Sequence, residues 1–169
     1  MAKKVGPGLG PSPLLQRCMP QGQTTPQEMI TCLVIHAAVT WCLVGLIWVI
    51  QVVHYPLFKD VGQGGFVTYH ERHMALISWV VGPLMLVEVG SAGILLWLGE
   101  RSWLFVVSLA ALALVWLSTV FFQIPLHQRL AHGYDTAAIK RLVSTNGWRT
   151  FSWTVRGVCV ALLLIQKIR

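Results

Sequence analysis

An all-α integral membrane protein built as a four-helix bundle is predicted by three observations. The chain of 169 residues is 55% hydrophobic and only 11% charged. With a mean hydropathy of +0.64, it carries more apolar surface than a soluble domain of this size can bury. Four apolar runs, about residues 29–54, 74–98, 103–124 and 148–167, reach the roughly 20 helical residues that a hydrocarbon core of about 30 Å requires. Five of the six histidines, His54, His70, His73, His127 and His132, lie in or beside two connections that these runs place on one side of a membrane.

Residues 1–25 read as a disordered tail, with Pro7, Pro11, Pro13 and Pro20 set among glycines. No apolar stretch of signal-peptide type follows Lys3 and Lys4, so the first run is expected to remain as an anchor of a single domain over residues 26–169. Each run must be helical, because an unpaired backbone group finds no water in lipid. Thr25 is a natural N-cap for the first, with Pro26 at the first helical position and Glu28 placed for a capping box. In the second, Pro83 is expected to kink the helix and free carbonyls near Trp79. The third opens after Ser102 and is expected to close near Pro125. Asp135 can cap a short interfacial helix over 136–143, and Asn146 the last span.

The formal charge of +7 does not point to nucleic acid. Six basic residues fall on the side of the termini (Lys3, Lys4, Arg17, Arg101, Lys167, Arg169), six on the histidine side (Lys59, Arg72, Arg129, Lys140, Arg141, Arg149), and Arg156 lies inside a span. An even split sets no orientation by the positive-inside rule and matches basic residues at two headgroup layers. Cys18, Cys32, Cys42 and Cys159 form no C-x-x-C pair, which removes zinc-ribbon and thioredoxin-like readings. Gly62, Gly64 and Gly65 lack the strand-to-helix context of a phosphate loop, and no internal repeat is evident. Trp97, Trp103 and Trp148 sit where interfacial anchors belong, whereas the deeper Trp41, Trp116 and Trp153 line a pocket for a flat ligand or pack the core, with packing the favoured reading.

Helical spacing gathers the polar residues into two layers. His36 and His54 are five turns apart on one face of the first helix, about 27 Å from end to end, and His70 and Glu88 repeat that spacing on the second. Antiparallel packing that sets His54 level with His70 therefore sets His36 level with Glu88. The fourth helix carries a stripe of Arg149, Ser152, Trp153 and Arg156. If Arg149 marks the mouth, Arg156 is only about 10 Å inside it, which argues against a direct bond to Glu88 and favours carbonyls, Gln51 or an anionic or quinone-like ligand.

The histidine layer has two readings. His54, His70, His73 and His127 can hold iron, copper or haem iron, with His70 and His73 sharing an ion and Glu71 or Asp60 as carboxylate neighbours. Alternatively, these rings join Tyr55, Tyr69, Tyr134 and Trp148 in a polar-aromatic belt at the headgroups. His132, furthest into its loop, is the bystander.

Tyr55-Pro56, Phe66, Tyr69-His70, Arg72, Pro83-Leu84, the run Pro125-Leu126-His127-Gln128-Arg129-Leu130, Trp148-Arg149 and Arg156 together resemble the anthrone-oxygenase-like family of small four-helix membrane proteins. The resemblance covers roughly residues 45–160. His127 and Trp153 stand where that family often has Asn and His. It implies oxygenation of polycyclic aromatic substrates. His36, Trp41 and Tyr55-Pro56 are also similar to histidine-ligated haem membrane proteins of the protoporphyrinogen-oxidase type.

The function expected is that of a multi-pass, membrane-embedded oxidoreductase acting on a lipophilic substrate that enters from the side. In that reading the four histidines hold a metal or act as acid and base, Arg149 and Arg156 stabilise an enolate or phenolate, and Glu88 with His36 relays protons. The alternative is a non-catalytic haem or metal carrier, or a small assembly subunit. The partners expected are the bilayer and a lipophilic small molecule, with self-association left open and nucleic acid excluded.

Overall fold

The computed structural model describes residues 25–169, so the expected tail lies almost wholly outside the described residues. Four antiparallel helical stretches, Pro26–Asp60, Gln63–Trp97, Trp103–Ala131 and Thr136–Ile168, are long and apolar enough to cross a membrane. The described residues contain no strand. The first span packs against the second and the fourth, and the fourth also against the third; the second meets the third through the latter's end, Ile124–Ala131.

The first span starts as expected. The Thr25 hydroxyl accepts from the Glu28 backbone N–H at 3.3 Å and the Glu28 carboxylate accepts from the Thr25 N–H at 2.9 Å, completing the capping box. Its α-helix ends at Val49 and gives way to a five-residue π-turn, Ile50–His54. The third span does the same, passing from helix Trp103–Ser118 into a π-turn, Thr119–Gln123. A proline follows each turn, Pro56 and Pro125. Proline lacks an N–H and its ring collides with the carbonyl four residues back, so a wider turn relieves both faults and lets the helix go on. The third span accordingly does not close at Pro125 but continues to Ala131. The second span likewise runs unbroken through Pro83, from Phe66 to Trp97.

The largest departure is in the last helix. Asp135 is its N-cap, accepting from the Ala138 N–H at 3.0 Å, but no separate interfacial helix follows. Thr136–Ile168 is one helix of 33 residues, about 50 Å long. Asn146, expected as a cap, sits buried within it. The 136–143 segment is held in the bundle by Ala138, Ile139 and Leu142, whose shared face is buried among Phe58, Phe66 and Leu130. An amphipathic segment with a protein surface to cover has no reason to lie in the headgroups.

Two apolar clusters fill the interior. One, toward the histidine end, includes Leu43, Ile47, Phe58, Phe66, Val115, Leu130 and Leu142; the other, toward the termini, includes Leu33, Leu95, Phe105, Val160 and Leu163. Between them lies a buried polar slab of His36, Thr40, Glu88, Ser91, Ser108 and Arg156. The fourth span closes on the first at this level because residue 157 is glycine: a Cβ there would stand 3.1 Å from Val44 Cγ2 and 3.5 Å from the Trp41 ring.

The second span ends in a Schellman turn, with Gly99 at φ 90° and bonds from Glu100 N–H to Leu95 O and from Gly99 N–H to Leu96 O. The turn presents Glu100 to Lys167 at 2.7 Å. Burial pushes the Glu100 carboxyl up, yet the bonds from Lys167 and Ser102 outweigh it and hold its pKa below the ordinary carboxylate value. A depressed carboxyl pKa stabilises the fold above the unfolded pKa, and that contribution is lost as pH falls through the folded one. Glu100→Gln is therefore expected to lower the thermal midpoint by a few degrees at neutral pH. The gap to wild type should close on acidification through the carboxylate range; a gap independent of pH would contradict the assignment.

Candidate functional site

The slab is organised by an ion pair. Arg156 Nε donates to Glu88 Oε1 at 2.7 Å, with both side chains fully buried. The sequence spacing argued against this bond, and the error has a geometric cause. Arg149 is not at the mouth, because the helix begins thirteen residues earlier at Thr136. Counted from the helix starts at Thr136 and Phe66, Arg156 and Glu88 both lie about 30 Å in, and so level with each other.

Every arm of the pair is occupied. Glu88 also accepts from Thr40 Oγ1 at 3.2 Å and from Trp153 Nε1 at 3.2 and 3.3 Å. Arg156 donates through NH1 to Ser108 O and Oγ at 2.8 and 2.9 Å, and through NH2 to His36 Nε2 at 3.0 Å. A carbonyl partner for Arg156 was anticipated; Gln51 was also anticipated, but bonds instead to Asn146 and the Val143 carbonyl. Arginine cannot accept a hydrogen bond, so its N–H makes Nε2 of His36 the acceptor and puts the ring proton on Nδ1. His36 Nδ1 then donates to Ser91 Oγ at 2.7 Å, whose hydroxyl donates to the Val87 carbonyl at 2.7 Å. This chain starts on a guanidinium and closes on a backbone carbonyl.

At the mouth, the four histidines meet as two pairs. His54 Nε2 lies 2.7 Å from His73 Nδ1, and His70 Nε2 lies 3.1 Å from His127 Nδ1. Phe58 packs edge-on against His54, His70 and His73, and Phe66 stacks on His70. The π-turn of the first span carries His54 to the second span and leaves Tyr55 buried, where its hydroxyl lies 3.0 Å from His127 Nε2. Arg149 is buried near that hydroxyl. Its NH1 donates to Asn146 Oδ1 at 3.0 Å, and its guanidinium stands 5.1 Å from the Trp153 ring centre.

His70 and His73 each bond to a different span. The described residues hold no group of three or more His, Cys, Asp or Glu side chains arranged to bind an ion. Asp60 and Glu71 lie exposed at the rim, and His132 is exposed beyond the cluster. Tyr55, Asn146, Thr40, Ser91 and Ser108 were not singled out as site residues by spacing, and packing was the favoured reading of Trp153. The signal was present for several: Thr40 is one turn from His36, Ser91 one turn from Glu88, and Trp153 lies on the stripe joining Arg149 to Arg156.

Two grooves open sideways beside the second span. One, of about 520 Å³, is lined by His54, Tyr69, Arg72, His73, Leu76, Ile77 and Val80. The other, of about 380 Å³, is lined by His70, Met74, Ile124, His127, Gln128 and Ala131, with Glu71 at its edge. Each has an imidazole pair at its base and apolar walls.

No protein-family model, curated protein or solved structure matches this chain. The anthrone-oxygenase-like reading therefore rests on the residues quoted for it above.

Removing one partner of a buried ion pair strands the other charge at a cost of about 3–5 kcal/mol. Glu88→Gln, which leaves Arg156 uncompensated, is expected to lose that much in denaturant unfolding from mixed micelles. A loss under about 1 kcal/mol would mean that the carboxylate does not hold the spans together.

Proposed function

We propose that this protein is a membrane-embedded oxidoreductase of oxygenase type that removes a proton from a flat, lipophilic substrate entering the groove of His54 and His73 from the bilayer. The observation that carries this reading is the hydrogen-bonded imidazole pair at the base of an apolar groove open to the side. Neutral imidazole is a competent general base near neutral pH, and a partner ring takes up or returns the proton without a change of site. Tyr69 and Arg72, on the same groove wall, are placed to hold the oxygen of the enolate or phenolate that forms, which is where stabilisation lowers the barrier.

In the oxygenase chemistry, an activated methylene gives its proton to the His54–His73 pair and the resulting carbanion adds to dioxygen. The peroxide takes the proton back and loses water, leaving a carbonyl. The balance is one methylene and one dioxygen to one carbonyl and one water. Arg149 lines neither groove beside the second span and is assigned to positioning rather than to touching substrate. Glu88, Arg156 and His36 are assigned to holding the spans in register, since their polar atoms are taken up by one another and by their neighbours.

The test uses protein in lipid nanodiscs with an anthrone as probe, following oxygen uptake and the quinone product. Positioned proton transfer contributes about 10²–10⁴-fold, so His54→Ala with His73→Ala should lower turnover at least a hundredfold. Equal turnover in the double variant, or no uptake by wild type, sinks the proposal. Metal analysis of the same samples separates the alternative: stoichiometric iron, copper or haem lost from the variant would favour a carrier.

A further inference from the structure

A third groove, which neither histidine pair lines, runs between the first and last spans at the mouth. It has a volume of about 440 Å³, with Pro56 and Lys59 on one side and Ile139, Lys140, Val143 and Ser144 on the other. Its walls are tied together. Gln51 Nε2 donates to the Val143 carbonyl at 3.2 Å, Asn146 Nδ2 donates to Gln51 Oε1 at 2.8 Å, and the Tyr134 hydroxyl donates to the Lys59 carbonyl at 3.1 Å. The groove is therefore a fixed feature of the packed bundle.

Depth and charge together say what fits it. The last helix, Thr136–Ile168, is about 50 Å long against a hydrocarbon core of about 30 Å, so about 10 Å of it stands in each headgroup layer. Lys140 lies four residues, about 6 Å, from the helix start, and Val143 about 10 Å. The groove thus descends from the headgroups at its two lysines to the hydrocarbon boundary at Val143. Lys59 and Lys140 are exposed and belong to no ion pair among the described residues. Of the carboxylates beside them in the chain, Asp60 is exposed, and Asp135 is held by Arg129 at 2.6 Å. With Arg141 next to Lys140, the local balance stays positive. An occupant must carry negative charge above and hydrocarbon below. A free anion meets only the first need and a zwitterionic lipid only the second. We propose that this groove binds an anionic phospholipid, its headgroup against Lys59 and Lys140 and an acyl chain along Pro56 and Val143. The site does not depend on any reaction in the groove of His54 and His73.

The test reads lipid selectivity. The full chain is reconstituted in phosphatidylcholine with a trace of spin-labelled phosphatidylglycerol or spin-labelled phosphatidylcholine, and electron spin resonance gives the relative association constant from the immobilised fraction. The anionic probe should be preferred; equal fractions for the two probes overturn the proposal. A basic side chain near an anionic lipid strengthens binding about fivefold, so Lys59→Gln with Lys140→Gln should weaken the preference by about tenfold or more. Arg72→Gln with Arg141→Gln removes the same charge from exposed positions that do not line this groove. An equal loss there would mean that general surface charge, not the groove, selects the lipid. Ser144→Trp fills the groove from an exposed position and leaves both lysines in place; it should abolish the preference, and an unchanged preference would overturn the site. Glycerol phosphate in the buffer should leave the immobilised fraction intact, whereas full competition would show a free-anion site and refute the lipid assignment.

Discussion

The Glu88–Arg156 pair is the constraint around which the bundle is arranged. Two full charges with no exposed surface are tolerated only where nearly every lone pair and N–H around them is matched. Four spans contribute to that matching: Thr40 and His36 from the first, Glu88 and Ser91 from the second, Ser108 from the third, Trp153 and Arg156 from the fourth. A one-turn slip of any span would remove a partner from a buried charge. Apolar contacts among Leu, Val and Phe do not discriminate so sharply between registers, because lipid tails solvate those side chains as well as neighbouring helices do. The pair therefore fixes the vertical register that sets the histidines opposite each other some 27 Å away.

The same helix that supplies Arg156 supplies Arg149, two turns nearer the mouth, and the Arg156 guanidinium dictates the protonation of His36 from the first span. Hydrogen-bond direction in the His36 chain becomes a property of the fold, because a group that can only donate stands at its head. Trp153 joins the two regions in space, under Arg149 and against Glu88, but not as a proton path. Its indole N–H donates and accepts nothing, so it passes no proton between the histidine layer and the ion-pair slab.

Much of this was legible in the sequence because it follows from periodicity. The spans, the capping box at Thr25 and the level placement of His36 with Glu88 come from spacings of three, four and eighteen residues, and the helix repeat fixes those. The Arg156–Glu88 bond was missed because the depth of Arg149 depends on where its helix starts, and that start was put at Asn146. What decides it is whether Ile139 and Leu142 face headgroups or Phe66 and Leu130, a tertiary fact that an amphipathic pattern leaves open. The π-turns were missed for a different reason. A proline signals either an ending or a widened turn, and the outcome depends on whether later residues, here Leu126, His127 and Leu130, have a core to enter.

His70 and His73 show how a small angular difference settles what a site can be. Three residues along a helix is about 300° of rotation, so the two side chains diverge by about 60°. On an exposed helix that divergence leaves them able to share an ion. In this bundle the second span is flanked by the first on one side and by the end of the third on the other, and each neighbour offers a histidine. His73 takes His54 and His70 takes His127, and the helix between becomes a wall with an imidazole pair and an apolar groove on either side. Across the wall the rings approach only by packing, with His73 and His127 centroids 6.2 Å apart, and no hydrogen bond between the two pairs is found among the described residues. One run of sequence therefore builds two imidazole pairs, each facing a different neighbouring span.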